Sequence, residues 1–350
     1  MIMGISELQK QEAQRIVKEN INLFEALSGK TILITGATGL LGQNLVSAVL
    51  EANRQLDSVI KLILLIRNEK KANNLFGISP EITYIVSEIQ QKVQIEEKID
   101  YIIHAASQTS SRLFVEEPVE TIMTAFMGTK NMLDLAAEKS VKDFIYLSTM
   151  EVYGNPTTEE KIAEDHGTNL DVMKARSCYP ESKRMCENLC VSYMKEYGIP
   201  VKIIRLTQTF GPGVTYDDGR VFAEFARCAI EKRNIVLKTK GETKRNYLYT
   251  ADAVSAIFTV LLNGKSGEAY NAANEETYCS IYEMAQMVAD TCGNEKISVE
   301  IEEQDSVEKL GYAPTLKMNL DTSKLRAIGW NPGTKLEEMF KMLIKDMERR

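Results

Sequence analysis

The stretch Thr31-Ile32-Leu33-Ile34-Thr35-Gly36-Ala37-Thr38-Gly39-Leu40-Leu41-Gly42 decides the fold of this 350-residue chain. An apolar strand runs into three glycines spaced three apart, and an amphipathic helix follows at once. Glycines in this pattern let the backbone turn tightly and approach a pyrophosphate, whose charge is favoured by the N–H groups at a helix start. Because a second apolar strand follows the helix, the pattern predicts dinucleotide binding rather than a purely structural turn.

Short apolar strands alternate with amphipathic helices over the first two thirds of the chain. This rhythm is typical of a parallel sheet covered by helices on both faces. We therefore predict an α/β fold, a Rossmann doubly wound parallel sheet with a smaller C-terminal α/β substrate lobe. The predicted strands are 31–35, 61–66, 82–86, 101–104, 144–147 and 201–206, and the predicted helices are 41–52, 119–139 and 179–197.

This alternation of strands and helices divides the chain into three predicted regions. Residues 1–28 are expected to form a helical extension, in which Ser6 caps one helix that runs to Leu27. Residues 29–206 form the dinucleotide-binding Rossmann domain, to which 247–260 are expected to return. Residues 207–350, which begin with a loop rich in glycine, proline and aspartate, form a discontinuous substrate-binding lobe.

Composition excludes several classes of partner. The chain has 42 basic and 49 acidic residues and a net charge of −7, so no broad basic surface is available for nucleic acid or an anionic membrane. The apolar run at 60–66 is far shorter than a membrane-spanning helix. The polar start lacks the apolar core of a signal peptide, and the six cysteines form no Cys-x-x-Cys pair, so a metal site is not expected and the cytoplasm is the expected compartment.

The remaining cofactor contacts are expected at strand ends. Arg67 follows the second strand, where an acidic residue favours NAD(H) and an arginine accommodates the 2′-phosphate of NADP(H). The sequence thus favours NADP(H) as the cofactor without excluding NAD(H). The residues expected to bind the dinucleotide are Gly36, Thr38, Gly39, Leu40, Leu41, Gly42, Arg67, Asn68, Glu88, Ile89, Ala105, Ala106, Ser107, Tyr179 and Lys183.

The catalytic signature is Tyr179-Pro180-Glu181-Ser182-Lys183, with Thr149 upstream at a strand end. Residues four apart share one helix face. A tyrosine has an ordinary pKa near 10 and is a poor base, but a nearby ammonium favours its phenolate, which can then deprotonate an alcohol. After a glycine turn and a threonine at a strand end, the pattern predicts catalysis by Thr149, Tyr179 and Lys183 rather than a plain amphipathic helix.

From Lys30 nearly to Arg350 the sequence resembles the extended short-chain dehydrogenase/reductases of the NAD-dependent epimerase/dehydratase family that act on nucleotide sugars. Within that family it is most similar to the UDP-glucuronate decarboxylases. The segments that carry the likeness are Ser148-Thr149-x-Glu151-Val152-Tyr153-Gly154, Arg176-Ser177-Cys178-Tyr179-x-x-x-Lys183-Arg184, Thr209-Phe210-Gly211-Pro212, Asp218-Gly219-Arg220-Val221, Thr243-Lys244-Arg245 and Tyr249-x-x-Asp252.

The resemblance implies a transient 4-keto sugar, formed when hydride leaves C4 and Tyr179 takes the hydroxyl proton. Dehydration then needs an acid, and the dehydratases carry Asp-Glu after the threonine. Met150 replaces that aspartate, although Glu151 remains as a catalytic candidate. Decarboxylation of a 4-keto uronic acid and 4-epimerisation need no such acid, so both stay open.

The resemblance also implies the substrate contacts. Arg220 and Arg245 would hold the diphosphate, because guanidinium groups match phosphate oxygens. Ala125 and Gln208 each replace an asparagine of the family pattern, which implies a reshaped pocket and an unusual sugar or polyol-like substrate. The residues expected to bind substrate are Thr109, Met150, Gln208, Arg220, Val221 and Arg245.

Two other functions remain open on the sequence. One is a net NADP(H)-dependent reductase or dehydrogenase of a nucleotide-linked sugar, for example a CDP-linked one, which releases its cofactor at each turnover. The other is a non-catalytic dinucleotide-sensing scaffold, against which the intact tyrosine and lysine argue. The family likeness further implies a homodimer in which the helices 119–139 and 179–197 pair between subunits.

Overall fold

A computed structural model describes residues 4–293, 297–303 and 315–349. The strands are β1 Thr31–Thr35, β2 Lys61–Ile66, β3 Ile82–Val86, β4 Tyr101–His104, β5 Asp143–Thr149, β6 Val201–Leu206, β7 Gln208–Phe210, β8 Ile235–Leu237, β9 Lys244–Tyr249, β10 Ala269–Ala272, β11 Asn274–Ser280, β12 Val299–Ile301 and β13 Lys317–Met318. The helices are α1 Glu7–Glu19, α2 Ile21–Leu27, α3 Leu40–Leu56, α4 Glu69–Phe76, α5 Leu113–Glu116, α6 Pro118–Lys139, α7 Cys178–Tyr197, α8 Val221–Glu231, α9 Thr250–Asn263, α10 Ile281–Thr291, α11 Ser323–Ala327 and α12 Leu336–Glu348.

A seven-stranded parallel sheet in the order β10-β6-β5-β4-β1-β2-β3 forms the centre of the fold. Strands such as β4 and the interior of β5 are buried along their length, because helices cover both faces of the sheet. The order reverses between β1 and β4, and a crevice outside the carboxyl ends of the strands at such a point is where ligands bind. The Rossmann fold class predicted from the sequence is confirmed.

The two faces of the sheet carry separate apolar cores. Helices α3 and α9 pack on one face, and their side chains continue into the core of the C-terminal region. Helices α6 and α7 pack together on the other face, with Cys186 and Cys190 of α7 fully buried. These two cysteines are packing residues of this core.

Smaller sheets lie in the C-terminal part of the chain. Strand β9 is central to one of them, with β11 and β13 as neighbours and β7 paired alongside, and β8 pairs with β12 in another. Helix α9 returns to the large sheet, and so does β10, which pairs with β6. The sequence singled out 247–260 as returning but not 269–272, because the place of β10 in the sheet depends on its pairing with β6, far away in the chain.

The N-terminal extension consists of two helices rather than one. Ser6 caps α1 and forms a capping box with Gln9, as the sequence predicted for the helix start. The expectation of a single helix to Leu27 is wrong, because Asn20 leaves the helical conformation and its side-chain amide donates to the carbonyl of Ile16. Both helices pack on α3 and α9.

None of the helices in the described ranges is long and apolar enough to cross a lipid bilayer.

Candidate active site

The glycine turn between β1 and α3 is packed so closely that side chains are excluded. Gly36 has a φ of +69°, and a Cβ there would lie 2.8 Å from the backbone nitrogen of Ala106. A Cβ on Gly42 would lie 2.1 Å from the carbonyl oxygen of Gly36. Gly39 caps α3 without a side chain, so the first backbone N–H groups of Leu40 and Leu41 point out of the helix start beside Thr38. This is the cradle that a pyrophosphate needs.

A buried hydrogen-bonded chain holds the ends of β1 and β4 together. The Thr35 hydroxyl accepts from the backbone N–H groups of Ala105 (3.1 Å) and Ala106 (3.0 Å), and it lies 2.8 Å from Nδ1 of His104. Because this hydroxyl already accepts twice, it donates to Nδ1, and Nε2–H of His104 therefore donates to Thr129. Burial lowers the pKa of His104 to about 3, which suits a role in holding the two strand ends together rather than in proton transfer.

The other residues expected at the cofactor lie at neighbouring strand ends. Arg67 is exposed after β2, and the side chain of Asn68 caps α4 by accepting from the backbone N–H of Lys71. Glu88 is exposed beyond β3, whereas Ile89 is buried and its carbonyl accepts from the amide of Asn131. Ser107 is half-buried after β4. The capping bond occupies the carbonyl oxygen of Asn68, so this side chain contributes to the helix start.

Thr149, Tyr179 and Lys183 come together where β5 and α7 meet. Thr149 ends β5, and Tyr179 and Lys183 lie one turn apart near the start of α7. All three are buried. Lys183 donates from Nζ to the carbonyl oxygen of Leu147 at 2.7 Å and lies 4.7 Å from the ring centroid of Tyr146. Burial lowers the pKa of Lys183 to about 8.

The phenol of Tyr179 lies among opposing charges. Burial raises its pKa above the ordinary value, and the carboxylate of Glu151 raises it further. Hydrogen bonding with the Thr149 hydroxyl and the positive charges of Arg176 and Arg220 lower it. Ionisation of the Tyr179 phenol is therefore opposed by burial and by Glu151 and favoured by the two guanidinium groups, whereas the sequence emphasised Lys183.

Glu151 is held by an arginine to which the sequence assigned no role. Nη2 of Arg176 lies 3.0 Å from Oε2 of Glu151. The guanidinium carbon of Arg176 is 4.9 Å from the ring centroid of Phe114, which in turn stacks on Tyr179 with centroids 4.3 Å apart. The position of Arg176 three residues before Tyr179 was visible in the sequence. The role of Phe114 was not, because this residue lies on α5, far from Tyr179 in the chain.

Met150 and Gln208 lie at neighbouring strand ends: Met150 directly follows Thr149 of β5, and Gln208 begins β7. Met150 is buried, and its sulfur lies 3.1 Å from the hydroxyl oxygen of Thr207, which donates to the carbonyl oxygen of Asn246 at 2.6 Å. Oε1 of Gln208 accepts from Nη1 of Arg245 at 3.3 Å. Among the described residues, Nε of Arg245 is buried without a hydrogen-bond partner, which leaves a donor for a ligand. Ala125, on α6, is buried against the large sheet.

The other residues expected to contact the substrate are less buried. Arg220 precedes α8 and forms a bidentate pair with Asp218, with 2.6 Å between Nη2 and Oδ2. Val221 is half-buried as the first residue of α8, and Thr109 is exposed in the loop after β4. Arg220 would have to share its charge with Asp218 when it binds a diphosphate.

Sequence reasoning missed a buried charge network under the end of β5. The Ser148 hydroxyl donates to Glu187 at 2.5 Å, and Nη2 of Arg205 pairs with Glu187 at 2.6 Å. Arg205 also donates to the hydroxyl of Tyr153, which donates to Asn271 of β10. A glutamate one turn after Lys183 gives no chemical signal by itself, because its partner lies on another strand.

Within the described residues no cluster of three or more His, Cys, Asp or Glu side chains is arranged to hold a metal ion.

Comparison with known proteins identifies the family. Residues 32–273 match the family model described as the NAD dependent epimerase/dehydratase family. The chain is similar to UDP-glucuronic acid decarboxylase 1 of Xenopus tropicalis, with 30% identity over 311 residues, 88% of this chain and 70% of that protein.

Solved structures share the fold. The epimerase Mth375 of Methanothermobacter thermautotrophicus superimposes with a TM-score of 0.80 at 20% identity, covering 95% of this chain and 96% of that one. The UDP-glucuronic acid 4-epimerase of Bacillus cereus, solved in complex with NAD, superimposes with a TM-score of 0.75 at 20% identity, covering 91% of this chain and 99% of that one. With more than half of its residues matched by the family model, the chain belongs to the NAD dependent epimerase/dehydratase family, a family of enzymes.

Proposed function

We propose that this enzyme modifies a nucleoside-diphosphate sugar by oxidising it transiently at C4 with bound NAD(H). The observation that carries the proposal is the convergence of Thr149, Tyr179 and Lys183 beside the glycine turn of the family's dinucleotide fold. A merely structural Tyr-x-x-x-Lys helix would not bring these groups to the carboxyl ends of β1, β4 and β5. This arrangement favours an enzyme over the dinucleotide-sensing scaffold.

The residues present fit the dinucleotide. The cradle at Gly36 and Gly42, which a Cβ would fill, admits a pyrophosphate, and Ala105 and Ala106 present small side chains to a ribose. The nicotinamide ring, when bound, accepts a hydride from the substrate and can return it. We take NAD(H) as the cofactor because the family is NAD dependent. The exposed Arg67 keeps NADP(H) as the alternative, to be decided by titrating both dinucleotides.

Side chains of this protein handle the proton. Tyr179 removes the proton of the C4 hydroxyl, and the Thr149 hydroxyl shares it through their hydrogen bond. Lys183 is fixed by the carbonyl of Leu147, so its ammonium is held at β5, one turn along α7 from Tyr179, and can hold a ribose hydroxyl. Arg245 contributes its unpartnered Nε to the diphosphate.

Decarboxylation of UDP-glucuronate is the outcome that we favour for the 4-keto intermediate. In that intermediate the carboxylate is β to the ketone, so CO₂ leaves with the electron pair delocalised into the C4 carbonyl. The resulting enolate takes a proton at C5 and hydride returns to C4, with no acid required at the position of Met150. The 30% identity to a UDP-glucuronic acid decarboxylase supports this choice over dehydration.

A panel of UDP-, CDP-, GDP- and dTDP-sugars followed by mass spectrometry tests the assignment. Loss of CO₂ from UDP-glucuronate supports decarboxylation, and an unchanged mass with a new chromatographic peak indicates 4-epimerisation. Loss of water from any member of the panel would overturn the argument from Met150. Tyr179→Phe is the matched control, since it removes the base and should abolish every outcome.

A net reductase is the second candidate, favoured only by Arg67 at the end of β2. Such an enzyme consumes one NADPH per turnover. The transient mechanism instead predicts turnover without added dinucleotide and oxidised cofactor retained through gel filtration. Stoichiometric NADPH consumption would contradict it.

We also propose that the protein is a homodimer paired through α6 and α7. Five large apolar side chains on these helices are exposed, Val119, Met123, Met185, Val191 and Tyr197, with 72%, 43%, 45%, 37% and 57% of their surface accessible. Burying such side chains against a second copy removes apolar surface from water. Sedimentation should show a dimer that Met123→Asp weakens, and a monomer at micromolar concentration would refute the pairing.

A further inference from the structure

Arg176 lies close to Glu151 and Tyr179, on the turn that leads into α7. This short 3-10 turn, Ala175–Ser177, places the arginine three residues before Tyr179. Its Nη2 is 3.0 Å from Oε2 of Glu151, and 27% and 33% of the two side chains remain accessible. The pair is thus partly desolvated and partly exposed to solvent.

Phe114 fixes the guanidinium in this position. The ring of Phe114 lies between Arg176, whose Cζ is 4.9 Å from its centroid, and Tyr179, whose ring is nearly parallel to it at 10°. The backbone carbonyl of Phe114 also accepts from the Cys178 thiol at 3.2 Å, which ties α5 to the start of α7. A cation over an aromatic face is attracted by the ring quadrupole, so the stack and the ion pair hold the same arginine.

The charge of Arg176 matters because Glu151 and Tyr179 are close to each other. A carboxylate beside a buried phenol opposes formation of the phenolate, since the two anions repel. Arg220, the other guanidinium whose charge reaches Tyr179, already forms a bidentate pair with Asp218. The guanidinium paired directly with Glu151 is therefore in the position to cancel its effect.

We propose that Arg176 is a positioning residue of the active site, which neutralises Glu151 beside Tyr179 and so lets Tyr179 serve as the base. The proposal rests on the proposed role of Tyr179 and deepens it. Glu151 then stays next to the substrate without suppressing the phenolate. Without the arginine, the same carboxylate would inhibit the reaction that it accompanies.

The charged and titratable groups around Tyr179 define what the test must separate. They are Glu151 after β5, Arg176 before α7, Lys183 on the same helix and Arg220 before α8, with the Thr149 hydroxyl at the end of β5. Cys178 and Tyr146 also lie nearby, and burial raises the pKa of both. Neither is ionised near neutral pH.

The test measures kcat as a function of pH in a set of single and double variants. In Arg176→Met the acid limb of the kcat profile should move to higher pH by about half to one unit, a three- to tenfold loss of activity below the limb. Arg176→Lys keeps the charge and should move it less than half as far. The double variant Arg176→Met/Glu151→Gln should return the limb to its original position, because the carboxylate that needed neutralising is gone. Arg54→Met, which removes a surface arginine paired with Glu51, is the matched control and should leave the limb in place.

A titration without turnover keeps this proposal separate from the choice of substrate. The ultraviolet difference between each variant and the same variant carrying Tyr179→Phe reports ionisation of Tyr179 alone. Its midpoint should rise in Arg176→Met and fall back in the double variant. An unmoved midpoint in Arg176→Met, or a double variant that stays shifted, would overturn the role of Arg176 even if the sugar panel succeeds. The expected set of shifts with a failed sugar panel would refute the proposed substrate instead.

Discussion

The Nζ atom of Lys183 lies 2.7 Å from the carbonyl oxygen of Leu147. This bond joins α7 to β5 two residues before Thr149, so the ammonium and the strand end that carries the threonine are fixed relative to each other. The contact also takes the ammonium out of water, and burial lowers the pKa of Lys183 to about 8.

The lowered pKa of Lys183 predicts how stability changes with pH. Between about pH 8 and 10.5 the unfolded chain binds a proton at this residue that the folded chain does not, so stability contributed by this group rises with pH. The total rise should be about 3 kcal/mol. Urea unfolding at several pH values should show this slope in the wild type and not in Lys183→Met. Equal slopes in both proteins would mean that Lys183 titrates normally.

Gly42→Ala should abolish dinucleotide binding. The new methyl group would lie 2.1 Å from the carbonyl oxygen of Gly36, so the start of α3 must move away from the turn. We expect a destabilisation of about 1–3 kcal/mol, measured by thermal unfolding, with loss of NAD affinity measured by calorimetry. Gly167→Ala is the matched control, because nothing lies within 4 Å of a Cβ there. Retained NAD binding in Gly42→Ala would show that the cradle lies elsewhere.

Glu187→Gln should destabilise the enzyme strongly. The carboxylate is buried and pairs with Arg205 at 2.6 Å while it accepts from Ser148, so its loss leaves a buried guanidinium without its counterion. The expected cost is about 3–5 kcal/mol in chemical unfolding. Glu51→Gln removes a surface pair with Arg54 and should change little. A similar small effect at Glu187 would mean that water replaces the pair.

Arg245→Met should raise the KM for the nucleotide sugar while leaving NAD affinity unchanged. The guanidinium is anchored by Gln208 and keeps a buried Nε donor, which suits a diphosphate oxygen. A lost charge-assisted hydrogen bond costs about 1.5–3 kcal/mol, so KM should rise at least tenfold. Steady-state kinetics and NAD titration check this, with the surface variant Arg54→Met as control. A fall in kcat at constant KM would instead place Arg245 in the chemical step.

Prediction from sequence was strongest where the signal is local. Strands β1, β2, β4 and β6 have the bounds predicted from their apolar runs, since a strand buried on both faces is a nearly continuous apolar segment. The edge strand β3 also has its predicted bounds, although it is only partly buried. The break at Asn20 was missed because the apolar spacing continues through it. Strand β10 was missed because its place in the sheet depends on pairing with β6, far away in the chain.

The sequence by itself determined the dinucleotide turn, the Tyr179 and Lys183 pair and the family, because each depends on residues close together in the chain whose chemistry requires that spacing. Only the tertiary structure decided which charges surround Tyr179. Arg176 meets Glu151, Phe114 stacks on Tyr179, and Arg205 pairs with Glu187 across elements that are distant in sequence. Such contacts follow from how helices pack on the sheet, and a buried charge finds its partner only when the packing brings the two together.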